Sequence, residues 1–271
     1  NKFNNINFPK RKIIYSNLVE NLRYGENPHQ IGAFYSQNLK NKLDHLHGKT
    51  LSYNNYSDIF AALTISKSLP KNMGTVIVKH GNPCGVSILK DNLYSYKSAL
   101  KSDPISAFGG IVSCNYKITQ KLALILNKIF LEVIIANGFN KKALKILKLK
   151  KNLRLIDSSK ISFDEVWKFN SVDNFMLIQS EDKKKNSKKD FRVVSKKKPN
   201  KSQLDNLMFA FNVCRYTKSN AIILASNKST IGIGSGQPSR LDSCEIAINK
   251  MNKFSKIKNE IVAASDAFFP F

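Results

Sequence analysis

A lysine and a histidine stand side by side in the segment VKHGNPCG, at Lys79 and His80. Lysine carries a fixed positive charge at neutral pH, whereas an imidazole takes up or releases a proton close to that pH. A positioned histidine of this kind is a common general base or acid. The pair therefore predicts a site of acid–base chemistry beside a permanent cation.

Four other segments place polar groups among glycines and prolines. The arginine of 23–30 can bind a phosphate or a carboxylate through two hydrogen bonds. The two glycines that end 102–110 let the backbone approach a ligand closely. The hydroxyls and amide of 217–220 suit an oxyanion, a carbonyl or a monovalent cation. The alternating glycines of 231–240 free backbone amides for an anion beside Arg240. Each segment taken alone is equally explained by turn and capping interactions.

The elements that position these segments indicate an α/β fold. The apolar run 75–78 predicts a buried strand, and the Gly, Asn, Pro and Gly after it predict a tight turn. Helix and strand patterns alternate along the chain, which favours βαβ units and a largely parallel sheet, whose strand ends are usual ligand sites. Helices are predicted at 55–69, 93–100, 119–130, 141–149, 204–211 and 245–254, and strands at 75–78, 110–113, 133–136, 153–156, 221–225 and 230–233.

A basic stretch divides the chain into two α/β halves. Nine basic residues lie between Lys183 and Lys198, a composition typical of a solvated linker. The resulting division is a connecting segment at 1–20, a first half at 21–181, a basic linker at 182–201 and a second half at 202–271.

Composition limits the possible classes. The chain has 271 residues, 42% of them hydrophobic, and its formal net charge is +25. No apolar run approaches the roughly 18 residues of a membrane helix. A nucleic-acid partner is one interpretation of the charge. Compositional drift is favoured, because lysines are scattered throughout and no basic stripe is interleaved with aromatic residues.

A zinc deaminase is the enzyme class that a histidine near Pro-Cys suggests first, and the spacing excludes it. Those enzymes need His-x-Glu and Pro-Cys-x-x-Cys. Here His80 is followed by Gly81 and Asn82, and Cys84 is followed by Gly85-Val86-Ser87. We therefore expect no zinc.

Taken together, the motifs closely resemble the transformylase region of the bifunctional purine biosynthesis family, in which AICAR formyltransferase is joined to IMP cyclohydrolase. The matching segments, in the family's order, are LRYGENPHQ (22–30), GKTLSYNNYSD (48–58), VIVKHGNPCG (76–85), SDPISAFGGIV (102–112), EVIIA (132–136), KSNAI (218–222), IGIGSGQPSR (231–240) and SDAFFPF (265–271). The resemblance implies a duplicated cytidine-deaminase-like α/β domain without zinc. It also implies a homodimer that transfers the formyl group of 10-formyltetrahydrofolate to the 5-amino group of AICAR in IMP biosynthesis. The cytoplasmic location is expected from the four scattered cysteines, which lack CxxC spacing and suit reduced thiols.

The resemblance implies roles for individual residues. His80 would be the general base and Lys79 its transition-state partner, while Asn220 would bind the carboxamide and formyl region. The implied substrate-binding residues are Arg23 and Tyr24 at the ribose phosphate, Gly109 and Glu132 at the nucleotide, Arg240 and Leu241 between nucleotide and folate, and Phe268 and Phe269 near the folate. A potassium site would involve Thr217, Ser219 and Asp266.

The family pattern also implies sequence on both sides of this chain. A cyclohydrolase domain is expected before residue 1, with 1–20 as its linker, and a further strand and helix are expected after Phe271, so the second half is expected to be incomplete. Two alternatives to formyl transfer remain at this point. One is a catalytically incomplete fragment that acts as a dimerisation scaffold, and the other is a basic nucleic-acid-binding module.

Overall fold

The computed structural model describes residues 8–39, 43–161, 167–182, 184, 186–257 and 260–267. Within these ranges the helices are α1 (Tyr53–Ser68), α2 (Asn92–Ser102), α3 (Pro104–Ala107), α4 (Gln120–Leu126), α5 (Lys141–Leu147), α6 (Lys201–Cys214) and α7 (Arg240–Phe254). The strands are β1 (Asn17–Leu22), β2 (Gly32–Ser36), β3 (Asp44–His47), β4 (Gly74–Lys79), β5 (Asn82–Ile88), β6 (Ile111–Cys114), β7 (Val133–Ala136), β8 (Arg154–Asp157), β9 (Trp167–Val172), β10 (Phe175–Ser180), β11 (Ile222–Ser226), β12 (Ser229–Gly234) and β13 (Val262–Ser265).

One nine-stranded sheet organises the chain, in the order β13-β11-β12-β5-β4-β6-β7-β8-β3. The α/β class is confirmed. The prediction of a largely parallel sheet is wrong: β6, β7 and β8 run parallel, whereas every other neighbouring pair is antiparallel. The reason is that β4 turns directly back into β5, and β11 into β12, through two-residue turns that can only join antiparallel strands.

The strand β5 was not predicted, because Pro83 and Gly85 are poor strand residues by propensity. Pro83 is accommodated at a bulge, where the pairing of β4 with β5 shifts register between Ile77 and Val78. Gly85 is required because a Cβ there would stand 1.9 Å from the carbonyl oxygen of Ala99 in α2. Gly85 thus weakens the strand pattern but allows α2 to pack tightly on the sheet.

Helices cover both faces of the sheet. On one face α1 and α6 bury side chains such as Ile59 and Val213 against strand residues that include Val76 and Val78. On the other face α2, α4 and α5 pack on the alternate strand residues, with Ile77 among them, and α7 packs on β11 and β12. The alternation of side chains along each strand therefore builds apolar packing on both faces of one sheet.

The order helix, hairpin, helix, strand occurs twice along the chain. The first run is α1-β4-β5-α2-β6, with the four-residue α3 inserted between α2 and β6, and the second is α6-β11-β12-α7-β13. The two runs meet where β5 pairs with β12, and there Thr230 Oγ1 accepts the Val86 N–H at 2.9 Å. The hydroxyls of Ser87 and Ser229 lie 2.8 Å apart across the same seam.

Two further hairpins, β1–β2 and β9–β10, lie outside this sheet. The segment 1–20 was predicted as a connector, but β1 begins within it at Asn17. In the predicted basic linker 182–201, the described residues contain a short 3-10 turn at Lys188–Asp190 and the start of α6 at Lys201. Among the described helices, none is long and apolar enough to cross a membrane.

Candidate active site

The Lys79–His80 pair lies at a hairpin turn whose backbone is tightly held. His80 and Gly81 are the two turn residues, with φ of 51° and 72°. Both values are positive, as a type I′ turn requires. Asp58 of α1 accepts the N–H groups of both residues, at 3.3 Å from His80 and 2.6 Å from Gly81. The His80 residue is exposed on this fixed backbone. The imidazole is therefore presented to solvent rather than packed in the core.

The Lys79 side chain reaches the loop that follows α3. Its Nζ donates to the carbonyl oxygen of Phe108 at 2.7 Å. Gly109 comes next, with a φ of 70°, and a Cβ at that position would lie 3.8 Å from Lys79 Nζ. The structure thus brings the predicted residues Lys79 and Gly109 together.

The predicted residues Glu132 and Tyr24 lie near Arg154. Glu132 directly precedes β7, and its Oε2 accepts a hydrogen bond from Asn55 Nδ2 at 2.9 Å. Nη1 of Arg154 lies 3.9 Å from the same oxygen. Burial lowers the pKa of Arg154, and the negative charge of Glu132 opposes that shift. Arg23 is exposed, with its guanidinium 5.8 Å from the centre of the Tyr24 ring.

Asn220 and Arg240 form a second cluster with Asp266. Arg240 donates to Asn220 Oδ1 at 2.6 Å and forms an ion pair with Asp266. The Asn220 amide in turn donates to the carbonyl oxygens of Gln237 and Pro238, at 3.0 and 2.8 Å. Asn220 is therefore fixed at both ends of its side-chain amide.

Asn82 joins this cluster to the Lys79–His80 turn. Its amide donates to the His80 carbonyl oxygen at 3.2 Å, and its Oδ1 accepts the Lys218 N–H at 3.3 Å. Lys218 stands two residues before Asn220. The turn and the Asn220 cluster therefore occupy the same end of the sheet, although they come from different halves of the chain.

The predicted potassium ligands are only partly suited to a cation. Thr217 donates its hydroxyl to the Val213 carbonyl oxygen at 3.0 Å. Ser219 donates to Asp266, whose other oxygen accepts the Ala221 N–H at 3.1 Å and is ion-paired with Arg240. Burial alone would raise the pKa of Asp266, but these donors lower it. Because Arg240 already neutralises the carboxylate, the three side chains as arranged do not fit a potassium ion.

The remaining predicted residues contribute less to this geometry. Leu241 lies next to Arg240 in the first turn of α7 and is 65% exposed. Phe268 and Phe269 lie outside the described residues. In the part of the chain that the structure describes, no group of three or more His, Cys, Asp or Glu residues could hold a metal ion.

Sequence reasoning missed the residues that support the site. Asp58, Asn55 and Arg154 hold the turn and Glu132, and Asn82 links the two halves. Asp58 and Asn55 fall within the motif GKTLSYNNYSD, which gave a signal of the family but no role for either residue. Their contacts depend on how α1 lies against the turn, which spacing alone does not reveal.

A family model described as "AICARFT/IMPCHase bienzyme" matches residues 1–250. The chain belongs to this family.

Curated relatives agree with the AICARFT/IMPCHase assignment. A "Bifunctional purine biosynthesis protein PurH" from Thermoanaerobacter sp. (strain X514) is 42% identical over 99% of this chain and 53% of its own length. The protein of that name from Leptospira biflexa is 42% identical over 100% of the chain and 53% of its own length. That from Aquifex aeolicus is 40% identical over 97% of the chain and 52% of its own length. The chain spans about half the length of these relatives.

Proposed function

We propose that the protein transfers the formyl group of 10-formyltetrahydrofolate to the 5-amino group of AICAR. The reaction would take place at the end of the sheet that carries the Lys79–His80 turn and the Asn220 cluster. The observation that carries the proposal is the Lys79–His80 turn, held by Asp58 and tied through Asn82 to the cluster of Asn220. A base, a cation and a side-chain amide thus lie at one end of the sheet. Membership in the AICARFT/IMPCHase family supports the choice of substrates.

His80 and Lys79 are proposed to act on the amine of AICAR and on the formyl group in turn. The amine of AICAR attacks the formyl carbon, forming a C–N bond, and His80 takes the proton that the amine loses. The oxygen of the tetrahedral intermediate carries negative charge, which the Lys79 ammonium stabilises. Both amide protons of Asn220 are donated to the carbonyl oxygens of Gln237 and Pro238, so Asn220 would stabilise this oxygen only after releasing one of these contacts. The bond between the formyl carbon and N10 of the folate then breaks, and N10 receives the proton from His80. Base catalysis of this type contributes roughly 10²–10⁴-fold.

The charges around the turn suit a phosphorylated substrate. Arg23 and Tyr24 are proposed to bind the ribose phosphate, and Gly109 and Glu132 the nucleotide. Arg154, which sequence reasoning did not single out, adds a partly buried cation beside Glu132. Arg240 and Leu241 are proposed to line the side shared with the folate, together with Phe268 and Phe269.

The repeated order of elements supports a further proposal, that the chain is a duplicated cytidine-deaminase-like domain with halves at 21–181 and 202–271. Both runs bring a strand glycine against a helix alanine. A Cβ at Gly85 would lie 1.9 Å from the Ala99 carbonyl oxygen, and one at Gly232 would lie 2.1 Å from that of Ala247. A shared close contact at matching positions is expected of duplicated units.

The whole protein is proposed to act as a cytoplasmic homodimer in IMP biosynthesis. IMP cyclohydrolase activity is assigned to no residue of this chain. The proposed transfer does not use potassium, because the Asp266 carboxylate is already paired with Arg240.

The function is tested by following tetrahydrofolate release in the presence of both AICAR and 10-formyltetrahydrofolate. We expect release that requires both substrates, and a formylated AICAR detected by mass spectrometry. Release without AICAR, or none from a folded protein that binds both substrates, would contradict the proposal. A nucleic-acid module is tested in parallel by salt-dependent binding of random DNA, which we expect to be weak.

A further inference from the structure

An ion pair with a buried carboxylate crosses between the two halves of the chain, close to the proposed site. Lys250 of α7 lies 2.8 Å from Asp103, which stands between α2 and α3. The Asp103 side chain is 4% exposed and that of Lys250 is 34% exposed. None of the proposed substrate contacts uses either residue. A carboxylate as buried as that of Asp103 needs further hydrogen bonds to stay ionised.

Asp103 has those hydrogen bonds, and they fix the start of α3. Its Oδ1 accepts the Ser106 N–H at 2.9 Å, and its Oδ2 accepts the Ser106 hydroxyl at 2.7 Å. Burial alone would raise the pKa of Asp103, but hydrogen bonds from Lys250 and Ser106 outweigh it and lower that pKa. The carboxylate therefore stays ionised at neutral pH and acts as the N-cap of α3.

The α3 turn leads directly to the partner of Lys79. The Ala107 carbonyl oxygen accepts the Gly110 N–H at 3.0 Å, and the Gly109 N–H donates to the Phe130 carbonyl oxygen at 2.9 Å. Between them, the Phe108 carbonyl oxygen accepts Lys79 Nζ at 2.7 Å. The position of the Lys79 ammonium thus depends on a short segment whose first anchor is Asp103.

We propose that Lys250 is a positioning residue, which acts through Asp103 and the α3 turn to hold the Phe108 carbonyl oxygen and hence the Lys79 ammonium. The second half of the chain then contributes to ordering the catalytic lysine of the first half without touching substrate. This inference rests on the proposed role of Lys79 for its consequence in catalysis, but its structural part stands by itself.

The structural part is tested by amide hydrogen exchange over residues 103–110 in the wild-type protein and three variants. Lys250→Met should speed exchange of the Ser106, Gly109 and Gly110 amides by about 10-fold or more, whereas Lys250→Arg should restore protection. Lys253→Met is the matched control, because Lys253 is an exposed lysine of the same helix, and it should change nothing. Unchanged exchange in Lys250→Met would overturn the proposal, whatever the activity.

The catalytic part is tested by a double-mutant cycle on formyl transfer. Lys250→Met and the isosteric Asp103→Asn should each lower kcat by about 10–100-fold with KM for AICAR little changed, as expected for a misplaced catalytic group. The kcat of the double variant should be no lower than that of the less active single variant, because Lys250 and Asp103 act through the same ion pair at the start of α3. Additive losses, or losses in KM alone, would contradict it.

Two controls keep the outcomes separate. Asp103→Asn keeps the shape of the cap, so it decides the exchange test if Lys250→Met does not fold. If the wild-type protein transfers no formyl group, the proposed function fails, while the exchange experiment still decides whether Lys250 orders the α3 turn.

Discussion

The two hairpin turns of the central sheet share a backbone conformation but carry different side chains. His80–Gly81 joins β4 to β5, and Asn227–Lys228 joins β11 to β12, with all four residues at positive φ. In each case the sixth residue of the preceding helix accepts a turn N–H. Asp58 accepts that of Gly81 at 2.6 Å, and Asn206 accepts that of Lys228 at 2.7 Å.

The two turns differ in which end of β5 they adjoin. The first adjoins the start of β5, where Asn82 contacts Lys218, whereas the second adjoins the end of β5, where the Ile88 N–H donates to the Lys228 carbonyl oxygen at 3.0 Å. The turns therefore lie at opposite ends of the sheet. The lesson is that the left-handed turn and its helix anchor are features of the scaffold, and the proposed chemistry depends on the side chains placed there.

The largest effect expected from this comparison is that of His80→Asn, which copies the residue of the second turn into the first. Asparagine tolerates positive φ, so the turn should persist. We expect kcat for formyl transfer to fall by roughly 10²–10⁴-fold, because the base is lost, with AICAR affinity nearly unchanged in a calorimetric titration. Asn227→Ala is the control and should retain activity; near-normal turnover in His80→Asn would remove His80 from the mechanism.

The next largest effect is expected from Lys79→Met. Losing a group that stabilises a developing oxyanion costs about 10²–10³-fold in kcat. Steady-state kinetics with both substrates should show this loss, while Lys228→Met, at the second turn, should leave kcat within about threefold. A similar loss in both variants would point to a general effect of charge rather than a role for Lys79.

The helix anchors should separate stability from activity. Asp58→Ala and Asn206→Ala each remove a side-chain acceptor for a turn amide, at a cost of about 1–2 kcal/mol in the free energy of unfolding. Only Asp58→Ala should also lower kcat, by about 10-fold, because only that turn carries the base. Urea unfolding and kinetics on the same samples measure both, and equal losses of activity would break the comparison.

The smallest effect expected is on the pH dependence of stability. The pKa of Asp266 is lowered in the folded protein, so its stabilisation is present above the unfolded-state pKa of about 3.9 and is lost as pH falls through the folded value. The difference in Tm between wild type and Asp266→Asn should therefore shrink from about pH 5 downwards. Asp205→Asn, near the second turn in an exposed pair with Lys188, should show a smaller difference throughout, and a constant difference for Asp266→Asn would contradict this account.

Sequence patterns predicted the elements that have strong hydrophobic periodicity. They missed elements whose residues are set by contacts with other elements of the fold. The helix predicted at 55–69 is α1 (Tyr53–Ser68), and the strand at 133–136 is β7. By contrast, β5 was hidden by Pro83 and Gly85, whose places are set by a bulge and by contact with α2. Without β5, the chain could not be recognised as two hairpins, and the sheet was wrongly predicted to be largely parallel.

The candidate site divides in the same way. Lys79, His80 and Arg240 stand in motifs that suggest chemistry from residue type alone. Asp58 and Lys250 do not, because their contacts are made between elements that are distant in sequence. Such supporting residues become visible only when the packing of α1 and α7 is known.

A crystal structure of the protein with AICAR tests the central claim most directly. We expect the nucleotide at the first turn, with its phosphate at Arg23 and Tyr24 and its 5-amino nitrogen within about 2.6–3.2 Å of a His80 ring nitrogen. AICAR bound at the Asn227–Lys228 turn, or with its amino group directed away from His80, would contradict the claim that the Lys79–His80 end of the sheet is the active site.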